Sequence, residues 1–331
     1  MTKLIIQIPC LNEAATLPAT LADLPRAVPG IDVIEWLVID DGSRDGTAGV
    51  ARANGVHHIV QFRRHKGLAA AFVAGIDASL RAGADFIVNT DADNQYLASD
   101  IERLVAPLLA GTADIVIGDR NIRDIAHMSW PKKILQRLGS WVVRQVSNTQ
   151  VPDTTSGFRA YTRDAALRMT IVSEFSYTLE SIIQAGKKKM AVAHVEVGTN
   201  RITRPSRLFN SVFDYIKQSA ATIVRIYTMH EPLKVFSYIG GAIFVIGFAI
   251  SVRYLYYRII GDAYGERHLQ SLILSAVLMI IGFQVILIGL VADAISGTRK
   301  LLEDLLYRVR RQELGGGHDT KTVHSQREDD R

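Results

Sequence analysis

Short apolar runs alternate with helix-length segments through the first 120 residues of the chain. Runs of four to six β-branched or apolar residues in this arrangement are typical of a mostly parallel sheet with crossover helices, which is an α/β fold. The pattern predicts strands near 3–8, 34–40, 58–62, 86–90 and 114–118, and helices near 14–24, 47–54, 67–82 and 99–110. Farther along, a helix is expected to begin at Tyr177, and a further strand is expected over 190–197.

Two later segments are apolar enough to span a membrane. Residues 235–252 and 269–292 carry no charged side chain, and each segment is long enough to cross the hydrocarbon core of a bilayer. The short link between them predicts a transmembrane hairpin within 232–296, with spans near 234–256 and 269–292. Between 207 and 231, apolar residues recur at three- and four-residue spacing, which favours an amphipathic helix at the bilayer surface. A helix packed in a protein core is the alternative.

The chain is therefore expected to divide into four parts. These are an α/β catalytic domain over 1–206, the interfacial helix, the hairpin, and a basic helix with a disordered tail over 297–331. Cys10 is the single cysteine, which excludes an intrachain disulfide. The first residues lack the charged-then-apolar pattern of a signal peptide.

The distribution of Lys and Arg indicates what the chain binds and which side of the membrane it lies on. The formal net charge is +5, and Lys and Arg cluster over 200–234 and 299–311, on both flanks of the apolar segments. Anionic lipid headgroups or phosphates are therefore favoured as partners, and nucleic acid is not. Basic flanks also mark the cytoplasmic side, so the catalytic domain and the C-terminal tail are predicted to be cytoplasmic at the inner (plasma) membrane. Arg253, Arg258 and Arg267 near the opposite end weaken that assignment.

The first candidate for chemistry is the polar segment that follows the fourth predicted strand. It contains Asp91, Asp93 and Gln95. An extended chain places residues i and i+2 on the same side, just past the carboxyl end of a strand, where open α/β sheets bind ligands. Hard cations such as Mg²⁺ take carboxylate oxygens together with substrate phosphates. The alternative is a simple turn, since Asp and Asn bond readily to their own backbone.

Other predicted strands also end in polar residues. Pro9, Asn12 and Glu13 follow the first strand, and the segment 40–47 follows the second. Several carboxylates along one sheet edge repel one another unless a cation or hydrogen-bond donors offset them. A metal with a sugar nucleotide would do so. The alternative for residues 40–47 is a turn and helix cap, with Gly42 and Gly46 at positive φ.

Five ordered motifs carry a resemblance. The sequence resembles the family 2 glycosyltransferases of GT-A fold, and more narrowly the polyprenyl-phosphate glycosyltransferases, such as dolichol-phosphate mannose synthase and bactoprenol glucosyltransferase. The match covers about residues 3–210, and the apolar segments extend it to about 300. The motifs are Pro9-x-x-Asn12-Glu13, the segment from Val38 to Thr47, Asp91-Ala92-Asp93-x-Gln95, Gly118-x-Arg120 and the segment from Asp153 to Arg159.

On the donor side, the resemblance implies that Pro9, Asn12, Glu13 and Asp41 hold the nucleoside, with Asp40 supporting their loop. It also implies that the donor diphosphate is bound through Mg²⁺ or Mn²⁺. The metal ligands would be Asp91, Asp93 and Gln95. Lys66 either contacts the diphosphate or belongs to a solvated basic turn.

On the acceptor side, the resemblance places Arg120, Lys132 and Lys133 where the family binds the acceptor phosphate, with Arg204 as a further contact. Arginine suits this role because its planar fork bonds phosphate oxygens in pairs. Lys stands where Arg is more usual in the family. Arg201 is the candidate to stabilise charge on the leaving group, in a loop expected to order over the diphosphate. The alternative is a basic patch on anionic lipid.

Asp153 would be a general base according to the resemblance. A lipid monophosphate, however, loses its second proton near pH 6 if it behaves like a phosphorylated side chain. Such an acceptor is already a dianionic nucleophile at pH 7. We therefore expect Asp153 mainly to orient the acceptor or a neighbouring arginine, with proton removal secondary.

The resemblance implies a membrane-bound inverting glycosyltransferase. It would transfer one hexose from a UDP- or GDP-sugar to undecaprenyl or dolichyl phosphate, and the product would supply cell-envelope glycan or glycosylation. A processive polysaccharide synthase of the same fold is a rival, but the Gln-x-x-Arg-Trp motif and the additional spans of such enzymes do not appear in the sequence. A catalytically silent GT-A membrane scaffold is the second rival. Family resemblance also favours a homo-oligomer.

Overall fold

A computed structural model describes residues 1–120, 149–172, 177–200, 227–260 and 269–315, with single positions between 141 and 147 and between 217 and 225. The chain forms two compact units. The first contains residues 1–223 together with the end of the chain from Leu305, and the second is Val224–Asp304.

The first unit is built on a mixed sheet. Its strands follow the spatial order β3-β2-β1-β4-β6-β5-β7. All neighbouring strands are parallel except β6, which runs antiparallel to β4 and β5. The predicted, mostly parallel α/β sheet is confirmed. The strands are β1 Lys3–Cys10, β2 Val33–Asp40, β3 His58–Gln61, β4 Phe86–Asn89, β5 Ile115–Asp119, β6 Arg159–Thr162 and β7 Val192–Glu196.

Helices flank this sheet, and β1 lies near its centre. Leu4, Ile5 and Ile6 of β1 are fully buried, and because successive side chains point to opposite faces, both faces of the strand are covered. The third helix approaches the sheet so closely that a Cβ on Gly75 would lie 2.5 Å from Oε1 of Gln7. Small residues on that helix permit this approach. The helices are α1 Leu17–Asp23, α2 Thr47–Ala53, α3 Leu68–Arg81, α4 Ile101–Leu109, α5 Arg163–Arg168 and α6 Tyr177–Lys187.

The second unit contains two long apolar helices, α7 Pro232–Ile259 and α8 Leu269–Gly315, both long and apolar enough to cross a membrane. They pack antiparallel through glycines. A Cβ on Gly240 would lie 2.6 Å from the carbonyl oxygen of Gly282, and one on Gly247 would lie 2.9 Å from Cβ of Leu278. Close backbone contact of this kind is typical of helix pairs in membranes.

The last turns of α8 belong to the first unit. Tyr307 Oη donates to Asp164 Oδ1 over 2.6 Å, and Arg310 Nη1 donates to the carbonyl oxygen of Met169 over 3.1 Å. Residues 305–315 therefore pack on the sheet domain near α5. Most of 207–231 lies outside the described residues, so the amphipathic helix stays a prediction.

Candidate active site

The loops that follow β1 and β2 are tied together by side chains. Asn12 adopts a left-handed backbone with φ of 55°, its Oδ1 accepts from the backbone N–H of Arg44 over 2.9 Å, and its own N–H donates to Ser43 Oγ over 2.8 Å. Glu13 accepts a 2.6 Å hydrogen bond from Thr16 Oγ1. These contacts fix the carboxyl edge of the sheet beside Pro9 at the end of β1.

Asp40 and Asp41 are both buried at the end of β2, and both take hydrogen bonds from the protein. Asp40 accepts from the backbone N–H of Ser43 over 2.9 Å and from Gln61 over 3.1 Å. Asp41 accepts from the N–H groups of Lys66 and Gly67 over 2.7 and 2.9 Å, and His65 Nδ1 lies 2.8 Å from its Oδ2. Asp41 therefore also positions the β3–α3 loop, a role that sequence reasoning did not assign to it.

The side chain of Lys66 contacts another residue of the same loop, Phe62. Its Nζ lies 4.6 Å from the centre of the Phe62 ring, a cation–π contact. Its backbone N–H is the donor to Asp41. These contacts are compatible with the solvated basic turn, which is the alternative expectation for Lys66, and the diphosphate role stays a prediction.

Two carboxylates follow β4 in a tight turn. Asp93 Oδ1 accepts from the N–H of Gln95 over 3.1 Å, and Asn94 has φ of 54°, so the segment is a turn as well as a candidate cation site. Burial and the charge of Asp93 raise the pKa of Asp91 to about 7, against an opposing effect of Arg120. A divalent cation between the carboxylates would relieve that repulsion.

The candidate cation site is open rather than closed by protein ligands. Among the described residues, no three His, Cys, Asp or Glu side chains converge on one point. Asp91 is only partly buried and Asp93 is likewise accessible. Two carboxylates with room for ligand oxygens match the way Mg²⁺ is held beside substrate phosphates. The residues present therefore fit such a cation.

Arg120, just after β5, and Asp153 form a two-pronged ion pair. Arg120 Nε and Nη2 donate to the two oxygens of Asp153 over 2.7 and 3.1 Å, and Nη2 also donates to Thr155 Oγ1 over 3.0 Å. Burial alone would raise the pKa of Asp153, but the charge and hydrogen bonds of Arg120 outweigh it, so that pKa is lowered. The pKa of Arg120 is raised, since nearby Tyr96 and Asp153 outweigh its burial.

Nη1 is the part of the Arg120 guanidinium that these contacts leave for a ligand. None of the hydrogen bonds that the structure describes for Arg120 uses Nη1. The expectation that Asp153 orients a neighbouring arginine thus matches the geometry.

A second arginine supports the same loop from inside the fold. Arg159 is fully buried, and its guanidinium donates to the carbonyl oxygens of Thr154 and Ser156 over 2.9 and 2.7 Å. It also donates to the carbonyl oxygen of Thr178 and to Ser181 Oγ. Arg159 ends the motif that begins at Asp153, but the motif alone predicts no role for it. Its signal was weak, since an arginine in a polar motif is normally read as exposed.

A buried polar cluster lies beneath the two carboxylates. Gln7 donates to Asn89 Oδ1 over 2.9 Å, and Asn89 Nδ2 donates to the carbonyl oxygen of Gly157 over 2.8 Å and to Tyr177 Oη over 3.0 Å. A Cβ on Gly157 would lie only 3.2 Å from Oδ1 of Asp91. The loop that contains Gly157 therefore lies directly against the turn that follows β4. Gln7 and Asn89 are polar residues within otherwise apolar strands, and this pattern in the sequence indicates a buried polar cluster.

Four predicted site residues lie outside the described residues. They are Lys132, Lys133, Arg201 and Arg204. Their assignments to the acceptor phosphate and the leaving group stay predictions.

Two family models match the chain. The model of glycosyl transferase family 2 matches residues 5–169, and the model of the GtrB C-terminal hairpin matches residues 231–298. Among solved structures, the glucosyl-3-phosphoglycerate synthase of Mycobacterium tuberculosis, in complex with Mn²⁺, UDP and phosphoglyceric acid, superposes with a TM-score of 0.53. That match is 19% identical and covers 69% of this chain and 78% of the other, so it supports the GT-A-like fold alone.

Curated relatives agree with the family models. An undecaprenyl-phosphate mannosyltransferase of Micrococcus luteus is 34% identical over 168 residues, covering 49% of this chain and 67% of that protein. A polyprenol monophosphomannose synthase of Mycolicibacterium smegmatis is 31% identical, covering 49% of this chain and 62% of that protein. Glycosyltransferase AglJ of Haloferax volcanii is 27% identical and covers 88% of this chain and 92% of that protein. This chain belongs to glycosyl transferase family 2, a family of glycosyltransferases.

Proposed function

We propose that the protein is a membrane-bound, inverting glycosyltransferase that moves one hexose from a nucleotide sugar to a polyprenyl phosphate. The observation that carries this proposal is the Arg120–Asp153 pair, which lies close to Asp91. The positive charge of Arg120 acts to lower the pKa of Asp91. A prearranged guanidinium suited to phosphate thus lies near two carboxylates suited to a cation-bound diphosphate. The names of the relatives from Micrococcus luteus and Mycolicibacterium smegmatis support the acceptor class.

On the donor side, the proposed ligands of the divalent cation are Asp91, Asp93 and Gln95. When bound, Mg²⁺ or Mn²⁺ offsets the charge that develops on the departing nucleoside diphosphate. The nucleoside lies along the ends of β1 and β2. Its proposed contacts are Pro9, Asn12, Glu13 and Asp41, with Asp40 in support and Lys66 toward the diphosphate.

On the acceptor side, Nη1 of Arg120 bonds an oxygen of the lipid phosphate while Asp153 fixes the guanidinium. Another phosphate oxygen attacks the anomeric carbon of the donor sugar. A new carbon–oxygen bond forms on the face opposite the nucleoside diphosphate, and the old bond breaks with its electron pair leaving on the diphosphate oxygen. A phosphate monoester is largely dianionic at pH 7, so the attacking oxygen brings no proton that a base must remove.

The membrane assignment rests on the apolar helices and on the end of α8. The two spans of α7 and α8 anchor the enzyme where a lipid phosphate lies. The contacts of Tyr307 and Arg310 with the sheet domain support the proposal that the tail after the second span and the catalytic domain share one side of the membrane. The basic flanks make that side cytoplasmic.

A substrate panel tests the proposal. The purified protein in lipid nanodiscs would be assayed with UDP- and GDP-sugars against undecaprenyl and dolichyl phosphate, with Mg²⁺, with Mn²⁺ and with chelator. We expect metal-dependent formation of one polyprenyl-phosphate hexose. The Asp93→Asn variant should lose transfer, while Asp77→Asn, an exposed change on α3, should keep it. Absence of transfer from every nucleotide sugar, or full activity of Asp93→Asn at saturating Mg²⁺, would contradict the proposal.

A further inference from the structure

An open cavity of about 800 Å³ lies at the carboxyl ends of β1, β2 and β3. This volume is within the range of small-molecule sites, roughly 300–1,000 Å³. Its lining includes Asn12 together with four basic residues, Arg44, Arg63, Arg64 and His65. The inference drawn from it rests on the proposed function, because it concerns the nucleotide that carries the sugar.

The position of the cavity separates it from the diphosphate. The sheet order β3-β2-β1-β4 places β3 three strands away from β4, which leads into Asp91 and Asp93. At roughly 4.8 Å per strand, this separation is about 14 Å. A nucleoside diphosphate lying across the strand ends, with its phosphates at β4, therefore brings its base to the ends of β2 and β3. A base in that position would lie in the basic cavity.

The arginines of this cavity have donors to spare. Arg44, Arg63 and Arg64 are exposed, and none of them forms an ion pair among the residues that the structure describes. The nearby carboxylates of Asp40 and Asp41 already accept hydrogen bonds from the protein. The cavity thus presents three planar guanidinium forks, beside the side-chain amides of Asn12 and Gln61.

Three arginines in such a lining discriminate among nucleobases. Guanine presents two adjacent acceptors, O6 and N7, which an arginine fork bonds in pairs. Uracil places an N–H between its two carbonyl groups, so a fork aimed at that edge meets a donor. In adenine, the group beside the N7 acceptor is an amino group, which is a donor and would likewise face the donors of the fork. Cytosine also offers adjacent acceptors, but it has a single ring. The two rings of guanine provide a larger surface for stacking on the guanidinium planes or on Phe62, which also lines the cavity.

We propose that the cavity reads the O6/N7 edge of guanine through Arg44, Arg63 and Arg64, so that the donor is a GDP-sugar. A well-formed fork of this kind discriminates by about 5- to 150-fold.

Nucleotide titration of the full chain in nanodiscs, with Mn²⁺ present, tests this base preference. GDP should bind about 5- to 150-fold more tightly than UDP or CDP. The analogue 7-deaza-GDP, which lacks only the N7 acceptor, should bind more weakly than GDP. In at least one of the variants Arg44→Gln, Arg63→Gln and Arg64→Gln, GDP and 7-deaza-GDP should bind equally. Arg52→Gln on α2 is the matched control, since Arg52 is exposed and does not line the cavity.

Two results would overturn the inference. One is UDP or CDP binding as tightly as GDP. The other is a GDP preference that survives in all three variants. Sugar transfer from a UDP-sugar to polyprenyl phosphate, together with either result, would remove the base assignment and leave the proposed function standing. Conversely, a guanine preference without transfer from any nucleotide sugar would support the base assignment and refute the proposed function.

Discussion

Replacing Asp153 by asparagine should damage both the stability and the proposed acceptor site of this enzyme. The substitution preserves shape but removes the charge that holds Arg120. The Asp153 side chain is fully buried and that of Arg120 is only 16% exposed, so water replaces little of what is lost.

The expected loss follows from the contacts. Asp153 accepts two hydrogen bonds from Arg120, and each hydrogen bond to a charged group contributes about 1.5–3 kcal/mol. Asparagine keeps one acceptor oxygen but turns an N–H toward the guanidinium, so at least one bond is lost. Breaking a buried pair outright costs about 3–5 kcal/mol. We therefore expect Asp153→Asn to lower the free energy of unfolding by about 3 kcal/mol, or about 6–12 °C in Tm.

Thermal unfolding across pH gives the first readout. Because the folded-state pKa of Asp153 is lowered, its stabilisation is fully present above the unfolded-state pKa of about 4 and is lost as pH falls through the lower folded value. The difference between the native protein and Asp153→Asn should thus be constant from pH 6 to 8. Asp77→Asn, which removes an exposed i,i+4 pair, should change Tm by no more than about 4 °C, because such pairs contribute about 0–1 kcal/mol.

Kinetics distinguish a positioning role from base catalysis. If Asp153 holds Arg120, the variant should raise KM for the lipid phosphate and lower kcat/KM by the same factor at every pH from 6 to 9. A low-pH limb present in the native enzyme and missing in Asp153→Asn would instead identify Asp153 as a general base. An unchanged Tm would also refute the reasoning, since it would mean that the pair does not stabilise the loop.

Three further predictions concern the neighbouring loops. The pKa of Asp91 without metal is about 7, so Mn²⁺ affinity should fall up to tenfold per pH unit below pH 7. Electron paramagnetic resonance measures this affinity, and pH-independent binding from pH 5.5 to 8 would contradict the prediction. Gly157→Ala places a methyl group 3.0 Å from Tyr177 Oη and 3.2 Å from Asp91, so it should weaken Mn²⁺ binding severalfold, whereas Gly49→Ala in open space should not. Arg159→Lys leaves carbonyl oxygens without donors and should lower the free energy of unfolding by about 3 kcal/mol in denaturant titration, with no change expected if the cluster simply rehydrates.

The sequence was most informative where a strand is buried on both faces. In β1, Leu4, Ile5 and Ile6 form a continuous apolar run because helices cover both sides of the sheet, and such runs identify parallel strands. Strand β6 escaped prediction for the opposite reason. Arg159–Thr162 is short, begins with a charged residue and runs antiparallel between β4 and β5, so neither its composition nor the β–α alternation marks it.

For the candidate site, the sequence predicts which residues follow the strand ends, but it does not predict their contacts. Asp91 and Asp93 follow an apolar strand directly in the sequence, so their position at the carboxyl edge of the sheet is set by local sequence. The contact of Asp41 with the N–H groups of Lys66 and Gly67 depends on the docking of the β3–α3 loop, which no local pattern encodes. Tertiary placement of this kind decides whether a carboxylate faces a ligand, its own backbone or both.

The loop from Asp153 to Ser156 shows what the unexpected burial of Arg159 achieves. Arg120 holds the loop through the carboxylate of Asp153, while Arg159 holds it from inside through the carbonyl oxygens of Thr154 and Ser156. Charge-assisted hydrogen bonds from both sides leave the loop few alternative positions. Arg120 is therefore oriented before a substrate arrives, and a prearranged cation stabilises an incoming phosphate without the reorganisation that a mobile side chain would require.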